Sequence, residues 1–428
     1  MLAASKHAQD AKKYSKIFYE FSSSFAAKIM IPVSEAIKII KRETFSLRTE
    51  TIDLSESVGR VLAGEIFADM DLPPFDRSQM DGFAAKAEDT KGAPIKLKIV
   101  GESVAGKGFD KKVKHGEAVR IMTGARVPNG ADAVQKVENT CKFDAGFIEI
   151  LETAKTKQNI IKRAEEIKKG EKIFSKGEII TENMIASIAS FGYAKVQVSG
   201  KPKVAILATG SEIVDVAEKP AKDQIRNSNS IMLAVFARIA GAEVEVLPIV
   251  KDEMTNLKSQ ITNAVEKSDV LIITGGVSVG DYDFTKPALR ELGAEICFER
   301  VSLKPGKPTV FAKLNDKLVF GLPGNPVSVA VTFYLFVRTA LLQMQGARNL
   351  ELKKGFAVAT EKIKGAKERD SFLPVSVETN AEGNLIIESL RFSGSSNFIA
   401  FSRANALAFV PQGKTFERGE VIQITFLP

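Results

Sequence analysis

Three stretches between positions 274 and 328 bring together residue types suited to handling a polyanion. They are Thr274-Gly275-Gly276-Val277-Ser278-Val279-Gly280-Asp281-Tyr282-Asp283, Lys304-Pro305-Gly306-Lys307-Pro308 and Gly321-Leu322-Pro323-Gly324-Asn325-Pro326-Val327-Ser328. Each follows a short apolar run, and the first follows the β-branched run 270–273, which reads as a buried strand. Glycines where a parallel strand gives way to a loop let backbone N–H groups approach an anion, and lysines supply compensating charge. Asp281 and Asp283 add carboxylates that could hold a divalent cation between anionic oxygens. A single Gly-Gly after a strand is often only turn chemistry, because glycine accepts positive φ without steric cost. Three rigid loops carrying lysines, carboxylates and glycines together suit a fixed polyanion better than simple chain reversal.

The rest of the composition narrows the chemistry. The only histidines are His7 and His115, and the only cysteines, Cys141 and Cys297, are far apart with no CxxC. A disulfide framework, a zinc site and a histidine-based triad are therefore not expected. Carboxylates, lysines, hydroxyls, backbone amides and a hard cation are left. The net charge of +8 suits a small anionic substrate. With thinly spread lysines, no tryptophan and five tyrosines, nucleic acid is not an expected partner. The longest nearly apolar run, 327–337, falls short of a bilayer span, and Glu20 and Lys28 spoil the N-terminus as a secretory signal. No membrane association is expected, and a cytoplasmic location is.

The elements that must position these loops follow from length and periodicity. A chain of 428 residues should divide into several domains. Strands are expected at 204–208, 243–249 and 270–274 and helices over 229–240 and from about 326. Leu257, Ile261, Ala264 and Val265 mark one buried helical face. Alternating strands and helices over 201–346 predict a doubly wound α/β domain with its motifs at the carboxyl ends of the strands. Short β-rich runs over 347–428 predict a small barrel or sandwich. Residues 65–155 read as an inserted β-rich domain, 31–64 and 156–200 as one discontinuous elongated domain, and 1–30 as an N-terminal extension.

Taken in order, the motifs resemble the molybdopterin molybdenumtransferases, a family that includes the E domain of gephyrin. The resemblance rests on the three loops, on Pro74-Phe75-Asp76-Arg77-Ser78-Gln79-Met80-Asp81-Gly82-Phe83-Ala84, on Arg120-Ile121-Met122-Thr123-Gly124-Ala125, on Gly130-Ala131-Asp132-Ala133-Val134 and on Thr209-Gly210-Ser211-Glu212. It implies a multidomain α/β protein with a central molybdopterin-binding domain, a C-terminal β-barrel, and dimerisation through the discontinuous domain. The implied activity is magnesium-dependent insertion of molybdenum from molybdate into adenylylated molybdopterin, with release of AMP. Magnesium is expected at Glu212 and Asp283. Asp76, Asp81, Thr123 and Glu166 are expected to act in the same site, with Asp76 and Asp81 drawn from a second subunit if the site spans a homodimer. Lys304, Lys307, Ser328, Arg369 and Ser395 are the implied molybdate ligands. Ser78, Gly275, Gly276, Ser278, Pro323, Gly324 and Asn325 are the other implied substrate-binding residues. The adenylyltransferase of the preceding step and the receiving apo-molybdoenzymes are the implied protein partners.

The chain departs from the family pattern in two places. Glu166, within Ala164-Glu165-Glu166-Ile167, stands where the family commonly has aspartate, and Ser211 and Ile213 flank Glu212 in place of the usual aspartate and leucine. Two other readings stay open at this level. An adenylyltransferase shares the Thr274–Asp283 and Pro323–Pro326 motifs but leaves the inserted domain and barrel without a role. A gephyrin-like scaffold would keep the fold without turnover, against which the intact Asp283, Lys304 and Lys307 weigh.

Overall fold

The computed structural model describes residues 30–144, 146–277, 283–390 and 394–428. Residues 1–29 of the extension lie outside the described residues, as do Ser278 and Asp281. The chain divides into two compact units: Gly64–Ser175 with Glu182–Ala194 form one, and the remaining described residues the other.

The larger unit is built on a six-stranded sheet. Its strands are β1 (Lys203–Ala208), β2 (Glu243–Val246), β3 (Val270–Thr274), β4 (Glu295–Phe298), β5 (Val310–Leu314) and β6 (Lys317–Leu322), in the spatial order β2-β1-β3-β6-β5-β4. The first four of that order run parallel. Their side chains alternate between two cores: Val204, Ile206, Val270, Ile272 and Phe320 on one face, and Ala205, Leu207, Leu271, Ile273 and Val319 on the other. Burial on both faces explains why these strands read as continuous apolar runs. Helices α1 (Ser228–Ile239) and α2 (Met254–Lys267) lie among the crossovers, and Leu257, Ile261, Ala264 and Val265 of α2 are buried as the periodicity requires.

Sequence reasoning did not foresee the far edge, where β5 and β4 are antiparallel. The turn between β5 and β6 is Asn315-Asp316, with φ of 50° and 62°. Two consecutive left-handed residues match the right-handed twist of a tight hairpin, and Asn and Asp tolerate that conformation best after glycine.

Helix α3 (Pro326–Met344) is long and apolar enough to cross a membrane, but 83% of its most apolar stretch is buried inside the unit. It is a core helix, interrupted by a π-turn at Phe333–Val337. The helix Val33–Glu43 packs Val33, Ala36 and Ile40 into the same core.

Beyond α3 five strands close into a barrel: β7 (Lys354–Ala359), β8 (Asp370–Thr379), β9 (Leu385–Ser389), β10 (Ala406–Val410) and β11 (Val421–Phe426). The order is β8-β9-β7-β11-β10, and a β8–β10 pairing completes the ring. The two-residue strand Leu303–Lys304 pairs with the start of β8, tying the second site loop to the barrel.

The smaller unit carries a six-stranded sheet in the order Ala133–Lys136, Gly82–Ala85, Glu117–Ile121, Ile95–Ser103, Phe147–Ile150, Thr140–Asp144. This is the β-rich region expected from the sequence. Away from the sheet, the short strand Arg77–Ser78 pairs with Ile160–Ile161.

Phe320 is fully buried and stacks at 4.8 Å from Phe311, which in turn lies 5.6 Å from Phe298. Replacing Phe320 with alanine should lower unfolding stability by about 3–5 kcal/mol, the usual cost of an emptied aromatic core position, read as a shifted urea midpoint at unchanged slope.

Candidate functional site

The carboxyl ends of β1, β3 and β6 are in register: Thr274 faces Ala208 on one side and Leu322 on the other. The next residues of each strand therefore emerge side by side as Thr209-Gly210, Gly275-Gly276 and Pro323-Gly324. Backbone bonds lock them, from Thr209 N–H to Thr274 O (3.1 Å) and from Gly275 N–H to Leu322 O (3.2 Å). Gly275 has φ +98°, and a Cβ there would collide with the carbonyl oxygen of Thr209. Only glycine permits this approach.

These loops line a cleft of about 1040 Å³. Glu212, Gly275, Gly276, Asp283, Pro323, Gly324 and Asn325 all reach it. The carboxylate of Glu212 folds back over Gly210, where a Cβ would stand 2.7 Å from Oε2. Lys304, Lys307, Ser328, Arg369 and Ser395 line a second cavity of about 380 Å³, which shares Pro308, Pro323 and Asn325 with the first. Residues separated by as many as 91 positions thus meet in one small pocket. It joins the α/β domain to the barrel: Arg369 Nη1 donates to Leu303 O (3.2 Å), and Asn325 Nδ2 donates to Ser395 Oγ (2.9 Å). Ser328 is buried at the base of α3, and Arg369 is half-buried.

Two residues of the cleft were not singled out from the sequence. Asp252 accepts from Thr209 Oγ1 (2.8 Å) and from the Ser211 amide (3.1 Å), so it braces the loop that carries Glu212. Asn229 donates from Nδ2 to Gly324 O (2.7 Å) and to Thr274 Oγ1 (3.1 Å), joining α1 to two of the loops. The signal for Asn229 was present in Asn227-Ser228-Asn229, a cap-like run in which Asn227 accepts from the Ser230 amide. Asp252 offered only a lone carboxylate beyond a strand.

Five of the expected residues lie in the smaller unit. Asp76 accepts from Lys162 Nζ (2.6 Å) and from the Arg163 amide (2.8 Å). Burial pushes its carboxyl upward, but these two hydrogen bonds and the charge of Lys162 outweigh that and hold it below the usual value. Glu166 forms an exposed ion pair with Arg77 at 3.1 Å. Ser78 is buried, and its hydroxyl donates to Met80 O (2.6 Å), ordering the loop around Asp81. Asp81 and Thr123 are both exposed. One oxygen of Asp81 accepts from the Thr123 amide (2.6 Å) and hydroxyl (2.7 Å).

The Thr123 amide and then its hydroxyl hold the Asp81 carboxyl below its usual value of 3.8, with the charge of Arg120 adding to them. A carboxylate whose folded pKa is depressed contributes stability above its unfolded pKa and loses it as pH falls through the folded value. The Thr123 amide resonance should therefore shift on acidification with a midpoint below pH 3.8. In Asp81→Asn that titration should vanish. A midpoint at or above 3.8 in the wild-type chain would contradict the assignment.

The comparisons with known proteins match three successive regions of the chain. Residues 31–192 match the MoeA N-terminal region (domain I and II), 205–343 a probable molybdopterin binding domain, and 357–427 the MoeA C-terminal region (domain IV). The chain is 37% identical over 399 residues to a molybdopterin molybdenumtransferase of Staphylococcus aureus (strain COL), covering 92% of this chain and 95% of that one. It is 34% identical over the same length to one of Staphylococcus epidermidis (strain ATCC 12228). Among solved structures, the molybdopterin biosynthesis moeA protein of Pyrococcus horikoshii OT3 superposes with a TM-score of 0.80 at 33% identity, covering 93% of this chain and all of that one. With three matching regions along nearly its whole length, and relatives this similar end to end, the chain belongs to the molybdopterin molybdenumtransferase family.

Proposed function

We propose that this chain is a molybdopterin molybdenumtransferase that inserts molybdenum from molybdate into adenylylated molybdopterin and releases AMP. The observation that carries this reading is the pairing of a small cationic pocket, formed by Lys304, Lys307, Ser328, Arg369 and Ser395, with a larger cleft that holds glycine loops and carboxylates. Two lysines, an arginine and two hydroxyls suit a tetrahedral dianion, which needs donors and positive charge. The glycine loops suit the pyrophosphate. Because the cavities share Pro323 and Asn325, a ligand held along the cleft can present its dithiolene to an oxyanion next door.

The donor set also fits magnesium. Among the described residues no three of His, Cys, Asp and Glu come close enough to hold a metal by themselves. Magnesium is commonly bound by one or two carboxylates, with substrate phosphates and waters completing the shell. Glu212 and Asp283 would hold it, and its chemistry there would be to neutralise charge on the pyrophosphate. Asp252, committed to Thr209 and Ser211, keeps the Glu212 loop in place. Lys304 and Lys307 hold the oxyanion, and Asn325 fixes the orientation of Ser395.

We place the protein in the cytoplasm as a homodimer in which Asp76, Asp81, Thr123 and Glu166 complete the site from a second copy. Exposed Phe75 (38%) and Met80 (45%) beside the exposed Asp81 support this, since large apolar side chains flanking a polar group suit contact with another chain. Light scattering at micromolar concentration should give twice the 46.4 kDa chain mass. Mixed Asp81→Asn and Asp283→Asn proteins should regain turnover that neither shows alone. A monomer mass, or no recovery on mixing, counts against the shared site.

The central test incubates the chain with adenylylated molybdopterin, molybdate and magnesium, and measures AMP release with reconstitution of an apo-molybdoenzyme. Asp283→Asn should bind the adenylylated substrate but release AMP about 10²-fold more slowly, the scale of losing one electrostatic element of transition-state stabilisation. Lys307→Ala should in addition raise the molybdate concentration required. A wild-type chain that binds without releasing AMP would favour the scaffold reading.

A further inference from the structure

The larger cleft is lined by carboxylates and glycine loops and also by a group of apolar side chains. The lobe that follows Glu212 brings Ile213, Val216, Pro220 and Ile225 to the cleft, and the barrel brings Phe398. Val216 is 42% exposed, Ile225 60% and Phe398 49%. Exposed apolar side chains scattered singly over a surface need no explanation. These three are different, because Val216 and Ile225 from one lobe and Phe398 from a distant segment line one cavity.

The segments that carry Ile225 and Phe398 are held by their own backbone. Ile213–Val214 pairs in parallel with Ile225–Arg226, the Ile225 amide donates to Glu212 O (2.9 Å) and the Asn227 amide to Val214 O (2.9 Å). The lobe is therefore anchored at the residue that carries the Glu212 carboxylate. Phe398 opens a one-turn helix whose cap, Asn397, accepts from the Ala400 amide. It lies three residues from Ser395, whose hydroxyl is joined to Asn325 in the oxyanion pocket. These two segments are thus fixed with respect to both polar subsites.

A cavity lined by both an aromatic ring with apolar neighbours and polar groups has the chemistry that holds a flat heterocycle: stacking on the faces and hydrogen bonding at the edge. We propose that Phe398, with Val216 and Ile225, forms the stacking platform for a flat nitrogen heterocycle of the substrate. This rests on the function proposed above, whose substrate carries two such rings, adenine and pterin. The shared chemistry is a π-face against Phe398, and the choice of ring is open to direct measurement.

Calorimetric titrations of the full chain with AMP, ribose 5-phosphate and molybdopterin separate the cases. Phe398→Ala should weaken binding of the stacked ring about 5- to 100-fold, the range for removing an aromatic partner from a base, and should leave ribose 5-phosphate unchanged. Phe398→Tyr should restore wild-type affinity. Loss for AMP alone identifies adenine, and loss for molybdopterin alone identifies the pterin. Unchanged affinity for both overturns the proposal, as does an equal loss for AMP and ribose 5-phosphate, which would report a disturbed phosphate subsite. Unaltered ligand binding with a weakened dimer would assign the exposed ring to subunit contact and overturn it as well. The enzymatic reading fails separately: it falls if wild-type chain releases no AMP, whereas the platform is judged by the binding of the Phe398 variants alone.

Discussion

Register in the central sheet is the constraint on which everything else depends. Ala208, Thr274 and Leu322 form one row across three neighbouring parallel strands, so the loops that follow begin at the same level. A one-residue slip of β3 would turn its side chains to the opposite core and carry Gly275 away from Thr209. Two-sided burial forbids that slip. The same apolar contacts that stabilise the domain thereby hold the cleft's glycines and carboxylates where they are.

The smaller cavity adds a second level of organisation. It depends on two separate hydrophobic cores, one under the sheet and one inside the barrel, brought together by Leu303–Lys304 running beside β8. Polar bonds across the seam, from Asn325 to Ser395 and from Arg369 to Leu303, then fix the side chains. Such bonds contribute modestly to stability because water competes for the same groups. Their value here is directional, since they orient the donors around a small cavity.

Much of this was legible in the sequence because it is local. The apolar runs of β1 and β3, the buried face of α2 and the glycines after the strands each lie within one short window. The β-rich character of the last domain and the family resemblance could be read from similar stretches, and the resemblance in turn implied the barrel. What escaped depends on distance or on backbone geometry. Lys162 meets Asp76 across 86 positions, and no local pattern announces it. Asp252 takes its part only through Thr209 and Ser211, 43 and 41 positions away in the chain. The antiparallel edge follows from two left-handed residues, Asn315 and Asp316, whose pair is a hairpin signal once the flanking runs are read as strands. Glu166, a departure in the sequence, meets Arg77, a partner that the motif alone does not specify.

The position of the barrel bears on synthesis as well as on chemistry. The glycine loops, Glu212 and Asp283 are all translated before β7, whereas Arg369 and Ser395 arrive with the final segment. A chain that stalls on the ribosome after α3 could already fold the sheet and shape most of the cleft. It would still lack two of the five groups around the smaller cavity and the partner that orients Asn325. The smaller cavity is therefore completed only when the last domain supplies Arg369 and Ser395.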